Sequence, residues 1–300
     1  MSNALEVVGL RKEYREFALR DVSLELPTGY IMGFVGPNGS GKTTTIKAIL
    51  GLIRPDGGAV RVFGEDPVKP GAQENQRVGV VMDTPLYPGD WTVRDVGRAV
   101  ALFYRGWDPT RFAAELDRFD LSPAKRVREL SRGMKVKLQM AVALSHHAEL
   151  LVLDEPTSGL DPVARDELCD LLREFVLDED HSVLFSTHIT QDLEKTADYI
   201  TVLIDGRVAF TGELDGLVGA YVRVSGAVDG LDAAGRAEVI GYRERGGVFE
   251  GLARDTAFGG LPSGLQSGLP SDLPPGLLAE PATLDEIVVH LANSKEPVHV

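Results

Sequence analysis

Short apolar segments alternate with longer segments of helical spacing through much of the chain. Short apolar runs are typical of strands buried on both faces of a sheet. Such runs occur at residues 30–35, 77–82, 150–153, 182–186 and 199–204. Apolar residues at helical spacing fill residues 44–53, 134–147, 163–177 and 189–196. Strands that alternate with helices predict an α/β fold with a mostly parallel sheet.

Two other regions carry different patterns. Partial alternation of apolar and polar residues over 5–10 and 18–26 predicts N-terminal strands bounded by turns. From Trp91 onward the pattern becomes helical, so that residues from about 91 to 148 are expected to form a helical subdomain. Within it Thr92 and Asp95 have the spacing of a capping box, and the pairs Asp108-Pro109 and Ser122-Pro123 have the form of helix starts.

The pattern changes again after Leu214. Residues 220–255 predict a small α+β unit, and Pro281–Leu291 predicts a closing amphipathic helix. Between them, residues 259–277 repeat Gly, Leu, Pro and Ser at intervals of about four, a composition that is typical of a loop rather than a packed core. We therefore expect two domains, 1–214 and 215–300.

Charge and composition narrow the class of protein. The net charge is −14, whereas general nucleic-acid binders need a basic surface, so no nucleic-acid partner is expected. The single cysteine, Cys169, excludes an intramolecular disulfide and a multi-cysteine zinc site. We find neither an apolar run of ~18 residues nor the basic and apolar start of a signal peptide. The expected location is the cytoplasm, and other chains would have to cross any membrane.

The strongest chemical motif is a glycine-rich loop between a strand and a helix. Gly36-x-x-x-x-Gly41-Lys42-Thr43 matches the phosphate loop, in which glycines let backbone amides curl around phosphate oxygens. Lys42 supplies a positive charge for the β and γ phosphates, and the Thr43 hydroxyl is a ligand for magnesium. The residues expected to contact a nucleotide are Gly36, Pro37, Asn38, Gly39, Ser40, Gly41, Lys42, Thr43 and Thr44.

A second motif follows the apolar strand 150–153. Alone, the acidic pair Asp154-Glu155 would be read as a helix cap or a turn, but here it lies downstream of a phosphate loop in the same sheet pattern. Asp154 is placed to hold magnesium, directly or through water. Glu155 is placed to polarise the attacking water as a general base.

Together with the segment Leu130-Ser131-Arg132-Gly133-Met134, these motifs resemble the nucleotide-binding subunit of ATP-binding cassette (ABC) transporters. The resemblance covers residues 4 to about 213. It implies a phosphate-loop NTPase cassette with a mixed sheet core, an N-terminal antiparallel β-subdomain and a helical subdomain. The small C-terminal α+β extension resembles that of short bacterial exporter subunits linked to antibiotics or cell-envelope stress.

The resemblance also implies roles for further residues. Ser131 and Gly133 would face the γ-phosphate of a nucleotide held by a partner subunit, and Asp161 would lie in the loop that crosses the dimer seam. His188 would contact the γ-phosphate, and Tyr14 would stack on adenine. Two segments depart from the usual family pattern. Asp83, a residue able to bind magnesium, replaces a glutamine, and Arg132 and Met134 replace a glycine and a glutamine.

The function implied is an ATP-hydrolysing subunit that uses ATP and Mg²⁺. Its partners would be a second cassette subunit and a polytopic membrane permease, which would hold it at the cytoplasmic face of the membrane. The alternative is a cassette protein that moves no solute, such as a ribosome-associated or DNA-repair ATPase. Those proteins usually carry two cassettes, coiled-coil arms or zinc-binding cysteines. A phosphate-loop kinase or GTPase would leave Leu130–Met134 and His188 without explanation.

Overall fold

A computed structural model of the chain describes residues 2–69, 74–83, 87–231, 233–254 and 277–294. Contacts divide the chain into two compact units, Met1–Val208 and Ala209–Val300. The predicted α/β class is confirmed. Within the described ranges, none of the helices combines the length and the apolar character that a membrane span needs.

The first nine strands form two sheets. An antiparallel sheet has the order β2-β1-β4, and a six-stranded sheet has the order β5-β6-β7-β3-β8-β9. The strands are β1 Asn3–Glu13, β2 Ala18–Pro27, β3 Ile31–Val35, β4 Gly57–Val62, β5 Val78–Val81, β6 Leu150–Asp154, β7 Ser182–Thr187, β8 Tyr199–Ile204 and β9 Arg207–Glu213.

Burial explains why the parallel strands lack alternation. Strands β5, β6, β7, β3 and β8 pair in parallel, and every side chain of β3, β6 and β7 is buried. Because the carboxyl ends of parallel strands meet at one edge of the sheet, the loops after these strands come together there.

Six helices lie within the described residues of Met1–Val208, and two of them begin at the predicted caps. They are α1 Lys42–Ile49, α2 Val93–Val100, α3 Pro109–Arg118, α4 Arg132–Leu144, α5 Pro162–Phe175 and α6 Thr190–Thr196. The capping box of Thr92 and Asp95 is present at α2. Asp108 caps α3 by accepting hydrogen bonds from the amides of Thr110 and Arg111 at 2.8 and 3.0 Å.

The helix start predicted at Ser122-Pro123 was wrong. No helix begins there, and only a short 3₁₀ turn follows at Val127–Glu129. The carbonyl of Pro123 instead accepts a hydrogen bond from the amide of Arg94 at 3.0 Å, and that of Lys125 accepts one from Val93 at 2.9 Å. These two carbonyls accept hydrogen bonds from the first amides of α2, which have no acceptor within the helix itself.

The C-terminal unit has its own sheet. Its strands are β10 Tyr221–Ala227, β11 Ile240–Arg245, β12 Val248–Arg254 and β13 Leu277–Pro281, in the antiparallel order β11-β12-β10-β13. Its helices are α7 Leu214–Gly219, α8 Ala233–Ala237 and α9 Leu284–Asn293. Helix α8 joins two strands that are separated in the sheet by β12, which is a split β-α-β arrangement.

Predictions for this unit were met in part. The α+β character is confirmed, and the closing helix is present but begins at Leu284, where Thr283 and Glu286 form a capping box. Strand β13 was not predicted. Residues 259–276 of the predicted loop lie outside the described residues, whereas Leu277, its last residue, begins β13.

Candidate nucleotide-binding site

The loop between β3 and α1 curls as a phosphate loop requires. Gly39 and Gly41 have left-handed backbones, with φ of 82° and 109°, which residues with a β-carbon rarely adopt. Gly36 has no room for a side chain, because a β-carbon there would lie 2.0 Å from the carbonyl oxygen of Leu203. The motif's glycines are therefore explained by backbone conformation and by close packing.

Lys42 is buried at the start of α1. Its Nζ donates a hydrogen bond to the carbonyl oxygen of Gly36 at 2.7 Å and lies 3.4 Å from Glu155 Oε1. The hydroxyl of Ser40 is also buried, and it has no hydrogen-bond partner. A buried cation and an unsatisfied hydroxyl in one loop fit a bound phosphate, which supplies both negative charge and acceptor oxygens.

Asp154 and Thr43 form the pair expected to hold magnesium. Asp154 ends β6, and it accepts hydrogen bonds from the Thr43 hydroxyl and, at 3.3 Å, from Ser186 Oγ of β7. Burial raises the pKa of Asp154, and the Glu155 carboxylate adds to the rise. A buried carboxylate beside a hydroxyl fits Mg²⁺, which binds oxygen ligands and would offset the cost of burying this charge.

Glu155 and His188 meet at the ends of neighbouring strands. Glu155 takes a left-handed backbone with φ of 52°, and its amide donates to the Ser186 carbonyl at 2.9 Å. This turn directs Glu155 Oε2 toward His188, whose Nδ1 lies 2.6 Å away and whose backbone amide donates at 3.3 Å. One carboxylate thus faces both the buried lysine and the histidine.

Most of these groups line one cavity of about 630 Å³, whereas the predicted site residues Gly36, Pro37 and Asp154 lie outside its lining. Its predicted members are Asn38, Gly39, Ser40, Gly41, Lys42, Thr43, Thr44, Asp83, Glu155 and His188. The structure adds four residues that were not predicted as site residues, Glu16, Phe17, Arg132 and Ser158.

The chain is similar to known proteins. The family described as ABC transporter matches residues 19–158. Bacitracin transport ATP-binding protein BcrA of Bacillus licheniformis is 31% identical over 211 residues, covering 69% of this chain and 69% of the relative. Nod factor export ATP-binding protein I of Paraburkholderia xenovorans (strain LB400) is 34% identical over 226 residues, covering 73% and 74%.

A solved structure agrees with the sequence relatives. It is described as an ATP-binding subunit of an ABC transporter, and it superposes with a TM-score of 0.63 at 29% identity. The match covers 71% of this chain and 91% of that chain.

The chain belongs to the ATP-binding subunits of ABC transporters. Binding and hydrolysis of ATP are the general activity of this family, so the chain is an ATPase that powers transport. Subunits of this family work with membrane permease components.

The residues that the ABC family pattern assigns to the partner's nucleotide lie elsewhere. Ser131 caps α4 by accepting a hydrogen bond from the Met134 amide at 3.2 Å, and Asp161 caps α5 through the amides of Val163 and Ala164. Neither of them, nor Gly133, lines the 630 Å³ cavity of its own chain.

Tyr14 also lies apart from the cavity. Its side chain is 49% exposed and lines a separate depression with Arg11, Arg20 and Arg207. Phe17, three residues later, lies against the phosphate loop instead. Its ring is so close to Gly41 that a β-carbon there would be 2.6 Å from Phe17 Cζ. The sequence signal that could have identified Phe17 is its position as a second aromatic residue, after Tyr14, in the turn before β2.

Asp83 lies at the cavity, where its carboxylate forms an ion pair with the Arg132 guanidinium. Within the described ranges, no group of three or more His, Cys, Asp or Glu side chains is arranged to hold a metal alone. A magnesium ion at Asp154 would therefore need oxygen ligands from Thr43, the nucleotide and water. Asp83, which was predicted as a magnesium ligand, is therefore the ion-pair partner of an arginine in this structure.

Proposed function

We propose that the chain binds Mg-ATP between the phosphate loop and Asp154 and hydrolyses it with Glu155, and that two such subunits drive export through a separate permease. The observation that carries this proposal is the convergence of Lys42, Glu155 and His188 on one cavity, beside the Thr43–Asp154 pair.

The chemistry follows from these contacts. The loop amides and Lys42 bind the phosphates and orient the γ-phosphate toward Glu155. Glu155 accepts a proton from the attacking water, and His188 fixes the direction of its carboxylate through the 2.6 Å contact. Bound Mg²⁺ would supply positive charge to neutralise the phosphate oxygens.

The dimer is inferred from what one chain lacks. Ser131 and Gly133 stand at the N-terminus of α4, where free amides attract anions, yet they do not line their own chain's cavity. A second subunit brings these amides to the γ-phosphate. ATP then joins two subunits, and the loss of the γ-phosphate on hydrolysis removes the contacts that hold them together.

The permease is proposed to dock on the helical subdomain. A mostly apolar cavity of about 320 Å³ opens between β5, α2 and α4, with Leu52, Met82, Tyr87 and Tyr104 in its lining. Nearby in sequence to Tyr104, Leu102 is 84% exposed and Phe103 is 75% exposed. Such apolar exposure is typical of an interaction surface. Bound to this permease, the subunit would lie at the cytoplasmic face of the membrane.

The direction and the class of cargo are inferred from relatives. One is named for bacitracin transport and another for Nod factor export. We propose that this subunit powers export of an antibiotic or a cell-envelope compound, with the permease selecting the compound.

The oligomeric state with ATP tests this function. We expect Glu155→Gln to bind ATP and to accumulate as a dimer in light scattering, since binding continues while hydrolysis stops. The wild-type chain should remain monomeric or dimerise only transiently. A Glu155→Gln chain that binds ATP but stays monomeric at saturating ATP contradicts the two-subunit arrangement.

A further inference from the structure

Two positions that depart from the usual family pattern contact each other. Asp83 follows β5, Arg132 begins α4, and their side chains form an ion pair at the edge of the nucleotide cavity. We propose that Asp83 and Arg132 are a positioning pair that fixes the signature segment (Leu130–Met134) for ATP-driven dimer closure. This inference rests on the proposed function, and it assigns Asp83 to arginine binding rather than to magnesium.

The end of β5 is fastened to α4 at two successive residues. Gln139, which is buried in α4, accepts a hydrogen bond from the Met82 amide at 3.0 Å and donates one to the Met82 carbonyl at 3.1 Å. The next residue, Asp83, binds Arg132. Because Arg132 and Gln139 are seven positions apart, or about two helical turns, they lie on the same face of α4. The helix is therefore aligned along this loop rather than held at a single point.

Arg132 also touches a third segment of the site. A β-carbon on Gly159 would lie 3.2 Å from Arg132 Cδ and 3.3 Å from its Nε. Gly159 has φ of 69° and follows Ser158, which lines the nucleotide cavity. The arginine side chain thus lies between the loop after β5 and the loop 158–161, directly beside Ser131.

The electrostatics of α4 indicate that Arg132 is unfavourable at the helix start unless Asp83 neutralises its charge. The first turn of a helix carries partial positive charge, so a cation at its first residue is unfavourable. The Asp83 carboxylate offsets that repulsion. An isolated Arg132 would instead be repelled from the amides of α4, and the signature segment would lose its alignment.

The pair is suited to positioning rather than to stability. Asp83 is 48% exposed and Arg132 is 45% exposed, and exposed ion pairs contribute at most ~1 kcal/mol. Its loss should therefore leave the fold intact while changing how readily the signature segment reaches the partner's nucleotide.

A double-mutant cycle in the Glu155→Gln background tests the proposal. Asp83→Asn, Arg132→Gln and the double variant are compared for the ATP concentration that gives half-maximal dimer, measured by light scattering. Affinity for a fluorescent ATP analogue is measured at subunit concentrations too low for dimers. The magnesium concentration for half-maximal binding and the thermal unfolding midpoint are recorded for each variant.

A matched control uses another ion pair of the same helix. Lys137 Nζ lies 2.8 Å from Glu167 Oε2 and links α4 to α5 away from the nucleotide cavity. Lys137→Gln should leave the ATP concentration for dimer formation unchanged. Asp83→Glu keeps the charge and should restore most of the wild-type behaviour.

We expect each single neutral variant to need about three- to fivefold more ATP for dimer formation, and the double variant to need no more than either single variant. The rise in the ATP concentration for dimer formation should exceed any change in analogue affinity, since both side chains line the nucleotide cavity. The magnesium midpoint and the unfolding midpoint should stay as in the parent chain. Additive effects, or a raised magnesium midpoint for Asp83→Asn alone, would overturn the positioning pair. Failure of the parent chain to bind ATP would overturn the proposed function itself, and the pair's role with it.

Discussion

At the scale of single residues, the site concentrates buried charge that only a ligand can fully balance. Lys42 contacts one carboxylate, and Asp154 lies buried with hydroxyl partners. Buried charges are costly unless they are paired or bind an ion. Lys42 lines the cavity, and Asp154 lies beside Thr43, which also lines it. Occupation of the cavity by Mg-ATP would therefore give both charges partners that the chain alone does not supply.

Substitution of Lys42 tests the phosphate contact. Hydrogen bonds to charged groups contribute about 1.5–3 kcal/mol, so Lys42→Ala should weaken ATP binding by about ten- to a hundredfold. Titration with a fluorescent ATP analogue measures the change. Lys47→Ala, in the last turn of the same helix, is the control and should bind normally. Equal affinities for the two variants would contradict the assignment of Lys42.

His146 predicts a pH dependence of stability. Its ring stacks on Tyr104 with centroids 3.8 Å apart, and burial lowers the pKa of His146 from 6.5 to about 4. Because the folded state resists protonation, the unfolded state binds more protons as the pH falls below 6.5, and stability is lost between pH 6.5 and 4.

The loss from His146 between pH 7 and pH 5 should be about 2 kcal/mol. Urea unfolding at the two pH values measures it. His146→Gln removes the titrating ring, so its stability should fall by about 2 kcal/mol less over the same interval. The idea fails if the two chains lose equal stability.

At the scale of elements, α4 is set in place by polar contacts at its start and its middle. Gln139→Leu would remove the side-chain partner of the partly buried Met82 amide and carbonyl, which costs about 1–3 kcal/mol. Urea unfolding should show this loss. Lys135→Gln, at a partly exposed position of α4, should change stability by less than about 0.5 kcal/mol. A neutral Gln139→Leu would mean that α4 does not depend on this contact.

Local capping patterns predicted two of the three helix starts correctly. The caps at Thr92 and Asp108 are short-range devices, and both are present. Ser122-Pro123 carries an equally good local signal but starts no helix, because its neighbouring carbonyls bind the first amides of α2. These hydrogen bonds join residues about thirty positions apart in the sequence, so a local pattern cannot reveal them.

At the scale of the whole molecule, the order of strands explains how much of the site could be predicted. The four residues Lys42, Asp154, Glu155 and His188 lie at or after the carboxyl ends of parallel strands, so topology alone brings them to one edge. The Asp83–Arg132 ion pair joins residues 49 positions apart through side-chain geometry, and Phe17 replaces Tyr14 at the cavity through the path of a turn. Motif spacing fixes neither of these features.

The proposed permease surface can be tested separately from the ATP site. Leu102→Ser with Phe103→Ser removes exposed apolar side chains and should leave ATP affinity unchanged. Recovery of a co-purifying polytopic membrane protein should fall at least tenfold, measured by quantitative immunoblot; ~1.4 kcal/mol of lost affinity is enough for this. Val248→Ser, an exposed apolar residue of the C-terminal unit, is the control. Unchanged recovery of the permease would place its docking site elsewhere.

The central claim is that the Lys42–Glu155–His188 cavity binds ATP and that Glu155 activates the water which cleaves it. The most direct test measures, on one preparation, ATP affinity and steady-state phosphate release for wild type and Glu155→Gln. A general base contributes about 10²- to 10⁴-fold, so phosphate release should fall by at least about a hundredfold while ATP affinity is retained. Phosphate release at the wild-type rate by a Glu155→Gln chain that binds ATP would contradict the account.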